Sequence, residues 1–529
     1  MFSLRLLAVA FVAVVFVTPA RADDTPAQSK IVGVDLFKNG LVVVRREATL
    51  GKPGVYTLDD VPQPVHGTYW VESAAPVETV VKMRDVEVPV TEAAPGNLQD
   101  DLAGKKVTIH FKGDRRPPVI GTVMKLKPAK AEETAGTPVR FLVLQTGKGR
   151  TYVESAEIAA VEADNAGETV TRRQPRLLLT LGATEKPQTK VTIRYLTRGL
   201  AWAPSYKIDI TDPATLTLEQ HAVIRNELAD LDGAEVRLIS GYPSVAMAHV
   251  RSPLSPRTSW AAFFQELDRP DGEGSTFVGN SVRFQGQGFT ANPVAAADGA
   301  LGATPTGEGV DLHYQPIGKR TLAEGESLAL TVAKGSAAYA RVVEWVVPDN
   351  RNEYGVYDSR RHGDEVDDSA WDALKFKNPL PFPMTTGPAM VTAGGAFNGQ
   401  RASFWVNAGE ETILRVNKAL SVRTRAVENE IQLKDRGGRE IVWVGGRQFR
   451  QSTVEGELVV NNHRKEAIQL LIRRRFSGDL VQAEGSPKSS LREEGVYSIN
   501  RRNELLWSIP LKAGEERKLK YTYTVLMSH

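Results

Sequence analysis

Ile31-Val32-Gly33-Val34-Asp35-Leu36-Phe37, then Lys38-Asn39-Gly40, then Leu41-Val42-Val43-Val44, reads as strand, turn and strand. Alternating and β-branched residues on both sides of an Asn-Gly pair are the strongest short-range hairpin signal, because that pair accepts the positive φ that tight hairpin turns need. The same grammar recurs outward in both directions. Gly51-Lys52-Pro53-Gly54 turns into Val55-Tyr56-Thr57-Leu58, and Val191-Thr192-Ile193-Arg194-Tyr195-Leu196 alternates cleanly. So does Arg517–Val525 after the turn Ala513-Gly514-Glu515-Glu516. The class this predicts is all-β, with tandem β-sandwich-like domains.

Five short runs between about Leu98 and Ala163 (Lys106–Phe111, Val119–Leu126, Val139–Gln145, Thr151–Val153 and Glu157–Val161) are separated by turn residues. That density predicts an inserted small SH3- or Sm-like barrel. The expected organisation is an N-terminal β module over 28–97, the barrel over 98–165, a β-domain over 174–420 and a C-terminal sandwich-like domain over 421–529. A stretch at about 246–309, rich in Gly, Ala, Pro and Ser, interrupts the third of these and is expected to be flexible, burying too little to offset its ordering entropy.

The first 22 residues read as a cleavable secretory signal: Arg5, the apolar run Leu6 to Val17, then Ala20-Arg21-Ala22 as a small-x-small cleavage site. The run is shorter than the roughly 20 residues a membrane helix needs. A periplasmic or extracellular protein without a membrane span is expected. Cysteine is absent, so disulfides, thiol catalysis, iron–sulfur clusters and cysteine zinc sites are excluded. The folded cores must suffice.

The formal charge is +3 with acids and bases interspersed, whereas nucleic-acid binders concentrate basic residues on one stripe. The two basic runs are Arg172-Arg173-Gln174-Pro175-Arg176 and Arg473-Arg474-Arg475. In a strand, neighbouring arginines point to opposite faces, so neither forms a continuous patch. Solvated strand edges are their expected place. No nucleic-acid partner is expected.

The catalytic signatures with fixed spacing are missing. None of the eight histidines stands three or four residues from another, and neither His-Glu-x-x-His nor Gly-x-Ser-x-Gly occurs. Gly286-Gln287-Gly288-Phe289-Thr290-Ala291 fits a dinucleotide pattern but lacks the flanking strand and helix. The acidic run Asp364-Glu365-Val366-Asp367-Asp368 lacks regular calcium-loop spacing. Ser369 could instead cap a short helix through Trp371 and Leu374. Trp70, Trp345, Trp405, Trp443 and Trp507 could stack on sugar, but on alternating strands they are expected to fill cores. No catalytic, cofactor-binding or metal-ligating residues are assigned, and no cofactor is expected.

One helix signal stands out. Ser259 can cap two turns that put Trp260, Phe263, Phe264 and Leu267 along one face. Such a stripe either packs on its parent domain or docks a partner.

Tyr195-Leu196-Thr197-Arg198-Gly199-Leu200-Ala201-Trp202-Ala203-Pro204-Ser205-Tyr206 resembles the DUF4139 family, bacterial proteins of uncharacterised function related to the mucoidy inhibitor A group. Val34–Arg46, Leu238-Ile239-Ser240-Gly241-Tyr242-Pro243, Leu380-Pro381-Phe382-Pro383 to Gly387-Pro388, and Phe397-Asn398-Gly399-Gln400 resemble its other modules. Many members carry a long coiled coil where this chain has the five short runs, and a tryptophan often found near Asp230-Leu231-Asp232 is absent. The resemblance implies tandem β-domains outside the cytoplasm and no established reaction. In it Trp202, Pro204 and Tyr206 look structural, two core anchors with a proline restricting the strand between them.

The expectation for function is therefore a noncatalytic exported protein of the envelope or exterior. Its β-domain surfaces would bind or scaffold a protein or cell-envelope macromolecule. Two alternatives differ in class: a glycan hydrolase using two carboxylates on sandwich loops, and a calcium-stabilised adhesin.

Overall fold

The computed structural model describes residues 24–89, 98–113, 116–126, 140–163, 169–183, 188–241, 245–256, 258–268, 312–349, 351, 369–431, 441–493 and 499–528. The acidic run 364–368, the Gly-rich motif 286–291, the signal segment 1–22 and most of the insert lie outside them. Strands dominate what is described, with only short helices beside them, and the class is all-β. Among the described residues no helix is long and apolar enough to cross a membrane.

The chain divides into two units that it visits alternately. One holds Met1–Lys30, Arg46–Arg194 and Arg251–Phe264; the other holds Ile31–Arg45, Tyr195–Val250 and Gln265–His529. The N-terminal hairpin therefore groups with residues far downstream.

In the first unit, Thr169–Leu181 pairs antiparallel with the whole of Val77–Pro89, and its Leu177–Leu181 end also pairs with Gly54–Leu58. Residues 98–165 carry a five-stranded sheet in the order Gly149–Glu154, Phe141–Thr146, Val119–Val123, Lys106–Phe111, Ile158–Ala163. These are the five runs read from the sequence, each displaced by a few residues at most. Alternation gives the sheet its own core of Val107, Ile109, Val123, Leu142, Leu144 and Val153. Gly121 is needed because a Cβ there would lie 2.9 Å from the Gln145 carbonyl oxygen. The helix Leu98–Asp101 is tied on by the buried Gln99, whose amide donates to the Met124 carbonyl at 2.6 Å and accepts from the Val143 N–H at 2.7 Å.

In the second unit the hairpin forms as read. The Asn39 side chain accepts from the Leu41 N–H at 3.2 Å, and Gly40 takes φ 83°. Leu231–Ser240 pairs parallel to it, Val236 beside Val34. A ten-stranded sheet runs through Gly387–Ala393, Leu200–Asp209, Thr215–Asn226, Ser327–Val347, Ile468–Ser477 and Arg502–Leu511. A five-stranded sheet contains Val422–Ile431, Arg447–Asn462 and Glu516–Ser528. One apolar cluster takes Trp345, Leu470, Ile472 and Trp507 from the first sheet and Val454, Leu458, Tyr521 and Tyr523 from the second. The two sheets therefore share a core, as in a sandwich.

Three expectations change. Residues 421–529 do not close on themselves, because Ile468–Ser477 pairs parallel with Ser327–Val347 and the shared core includes Val343, Trp345 and Val347. Trp371–Lys377 is a strand between Ser327–Val347 and Glu411–Lys418, not a capped helix. Both of its faces are covered, Leu374 and Phe376 packing in one apolar cluster and Ala373 in another, so its buried residues need not alternate, and the spacing of Trp371 and Leu374 imitates a helix. Finally, Arg473-Arg474-Arg475 sits on an interior strand, with Arg474 2% and Arg475 3% exposed.

Candidate functional site

The Ser259 cap forms as the sequence predicts, its hydroxyl accepting from the Ala262 N–H at 3.1 Å, and the helix spans Trp260–Leu267. Helical periodicity then splits the aromatic stripe. Phe263 turns inward, 6% exposed, with its ring edge-on to His66 at 4.9 Å. Trp260 and Phe264 turn outward, 65% and 54% exposed, and stack on each other at 5.8 Å with ring planes 25° apart. Leu267 is half-buried. One member of the stripe thus anchors the helix while two present a joined aromatic face to solvent. Two rings held in one geometry have already lost much of the freedom a partner would otherwise have to freeze.

Trp202, Pro204 and Tyr206 are all on the strand Leu200–Asp209. The Trp202 indole N–H donates to the Ile239 carbonyl at 3.2 Å. The Tyr206 hydroxyl, fully buried, donates to the Thr385 carbonyl at 2.8 Å and accepts from the Thr385 N–H at 2.7 Å. Pro204 faces Gly387, where an added Cβ would meet the Pro204 carbonyl at 2.8 Å. Lys38, in the N-terminal hairpin turn, completes the cluster by donating to the Thr385 hydroxyl at 2.9 Å and the Thr386 carbonyl at 2.6 Å. Burial lowers the Lys38 ammonium to about 7, because desolvation disfavours its charged form. Three stretches remote in sequence meet here. Sequence reading missed Lys38; its only signal was an adjacent turn.

The arginine strand is where the charge is buried. Alternation sends Arg474 into the sandwich core and its neighbours to the opposite face. Arg474 binds Glu428, and its Nε donates to the Tyr521 hydroxyl at 2.6 Å. Tyr521 in turn donates to Glu428 at 2.7 Å, and Tyr523 to its other oxygen at 3.3 Å. Burial alone would raise the Glu428 carboxyl, but Arg474 outweighs it and holds the group below its usual range. Burial and Glu428 push Tyr523 up to about 12. On the other face, Arg473 meets Glu344 at 3.3 Å and Glu504 at 3.4 Å, Arg475 meets Glu504 at 2.8 Å, and Arg415 meets Glu344 at 2.7 Å. The arginines are interior ion pairs rather than solvated edges.

The tryptophans divide likewise. Trp345 and Trp507 fill the core, both 1% exposed. Trp70 and Trp443, 66% and 64% exposed, do not. Each lies in a four-residue strand, Trp70–Ser73 or Ile441–Val444, and Trp443 stands beside the Gly445-Gly446 turn. Among the described residues no three His, Asp or Glu side chains gather as a metal site. No family model matches the chain, and no curated protein matches it.

Proposed function

We propose that the chain is an exported, noncatalytic binding or scaffolding protein of the periplasm or cell exterior. In this reading its β-domains are supports, and the stacked Trp260–Phe264 face docks a partner protein of the envelope. The observation that carries it is that face: two large aromatic rings, both more than half exposed, on a helix anchored by the buried Phe263. Exposed rings of this size are enriched where proteins bind one another, and tryptophan leads among residues whose truncation costs most affinity. The signal-like N-terminus and the resemblance of Trp202-Ala203-Pro204-Ser205-Tyr206 to an extracytoplasmic family support the setting.

Gentle crosslinking in cells, followed by purification of the chain, tests the reading. The wild type is expected to carry a discrete partner that W260S/F264S loses, while both melt at the same temperature. Recovery of the wild type as a partner-free monomer would overturn it.

A further inference from the structure

A cavity of about 350 Å³ opens in the second unit beside the strand Trp371–Lys377. Its floor is set by sheet register. Arg341 lies opposite Leu374, Val343 opposite Asp372, and Asp372 opposite Asn417, so these side chains share one face. One wall is Asn398, whose carbonyl accepts from the Asn417 side chain at 2.5 Å. Gly399 allows that approach, since a Cβ there would lie 3.1 Å from both Asn417 and Val416. The other wall is the turn carrying Arg464 and Glu466.

That turn is held rigidly. Asn462 is fully buried, and its amide donates to the Glu466 and Lys512 carbonyls, each at 2.9 Å. Its side-chain oxygen accepts from the Arg464 N–H at 3.1 Å. Arg464 bonds Asp372 at 2.7 Å, a neutral pair, and also feels the Glu466 carboxylate through space without touching it. Two charges remain at the cavity. Arg341 and Glu466 both line it, and among the described residues the Arg341 guanidinium and the Glu466 carboxylate make no ion pair or hydrogen bond. A single anion would be drawn by one and repelled by the other. A molecule bearing both charges answers both.

We propose that this cavity binds a small zwitterion, an amino acid or short peptide with free termini, placing its carboxylate on Arg341 and its ammonium on Glu466. Arginine suits the first role because its planar fork accepts a carboxylate bidentately. The volume falls within the usual range of small-ligand sites, about 300–1,000 Å³. Asn417 and Gln469 also line it, their amide nitrogens donating to Asn398 and Ser508, and Ile210, Leu374 and Val416 add an apolar lining. The site stands independently of the aromatic face.

Titration calorimetry with three probes tests it: alanyl-alanine, its N-acetyl form and its C-terminal amide. The zwitterion is expected to bind saturably, and each blocked form about tenfold or more weakly, as loss of a charged hydrogen-bond partner implies. R341Q and E466Q, both at exposed positions, should each weaken alanyl-alanine by a similar factor with unchanged melting. Failure of alanyl-alanine to saturate would overturn the assignment. So would blocked forms that bind as well as the zwitterion, or affinity retained in both variants.

Discussion

Removing the guanidinium of Arg474 would strip the buried Glu428 carboxylate and the Tyr521 hydroxyl of their direct cationic partner, leaving Glu428 to the Coulombic pull of Arg351. Breaking one side of a buried ion pair typically costs about 3–5 kcal/mol, so R474M is expected to lower the urea midpoint by that equivalent. An unchanged midpoint would mean the pair contributes nothing. Lys38 carries a pH dependence of definite sign. Its ordinary value of 10.5 falls to about 7 in the fold. Between those limits the unfolded chain holds the proton that the folded chain has released, so stability rises with pH. Below 7 both states are charged, and the full burial penalty stays. The stability of the wild type relative to K38M is therefore expected to improve from pH 7 to pH 10, read from urea titrations at each pH. A flat or falling difference would show that the amine is not desolvated as described.

At the scale of elements, the strand pair Arg447–Asn462 and Glu516–Ser528 shows how a glycine serves a charge. Gly456 lies directly opposite Tyr521, whose ring covers it so closely that an added Cβ would fall 2.1 Å from a ring carbon. From that position Tyr521 reaches both Arg474 and Glu428. G456A is expected to displace the ring and cost about 1–3 kcal/mol, the usual range for overpacking, with altered tyrosine near-UV circular dichroism. Native spectra and stability would refute it. What the sequence disclosed about elements follows the reach of each signal. The Asn39-Gly40 hairpin and the Ser259 cap were legible because their chemistry is complete within a few residues. The burial of Arg473-Arg474-Arg475 was not, because it depends on Val343 and Leu470 lying side by side, more than a hundred residues apart in the chain. Trp371 misled for the same reason: spacing along the chain imitates a helix until the packing on both faces of the strand is known. In the aromatic stripe, periodicity located the face, but only the contact with His66 separates the ring that anchors from the two that remain outside.

At the scale of the whole molecule, the alternation of the chain between two units divides both 28–97 and 174–420 between them. Residues 421–529 expressed alone would expose the edge of Ile468–Ser477 that pairs with Ser327–Val347, and would lose Val343, Trp345 and Val347 from their core. Such a fragment is expected to lack cooperative unfolding by circular dichroism, whereas a sharp transition would show that the shared core is dispensable. Function, in contrast, is assigned to a small surface. A photo-reactive phenylalanine analogue placed at position 260, and separately at the comparably exposed positions 70 and 443, would test that assignment most directly in living cells. A discrete protein adduct is expected from position 260 that disappears with F264S, and none of that mass from 70 or 443. The same adducts from all three positions, or none from 260, would contradict it.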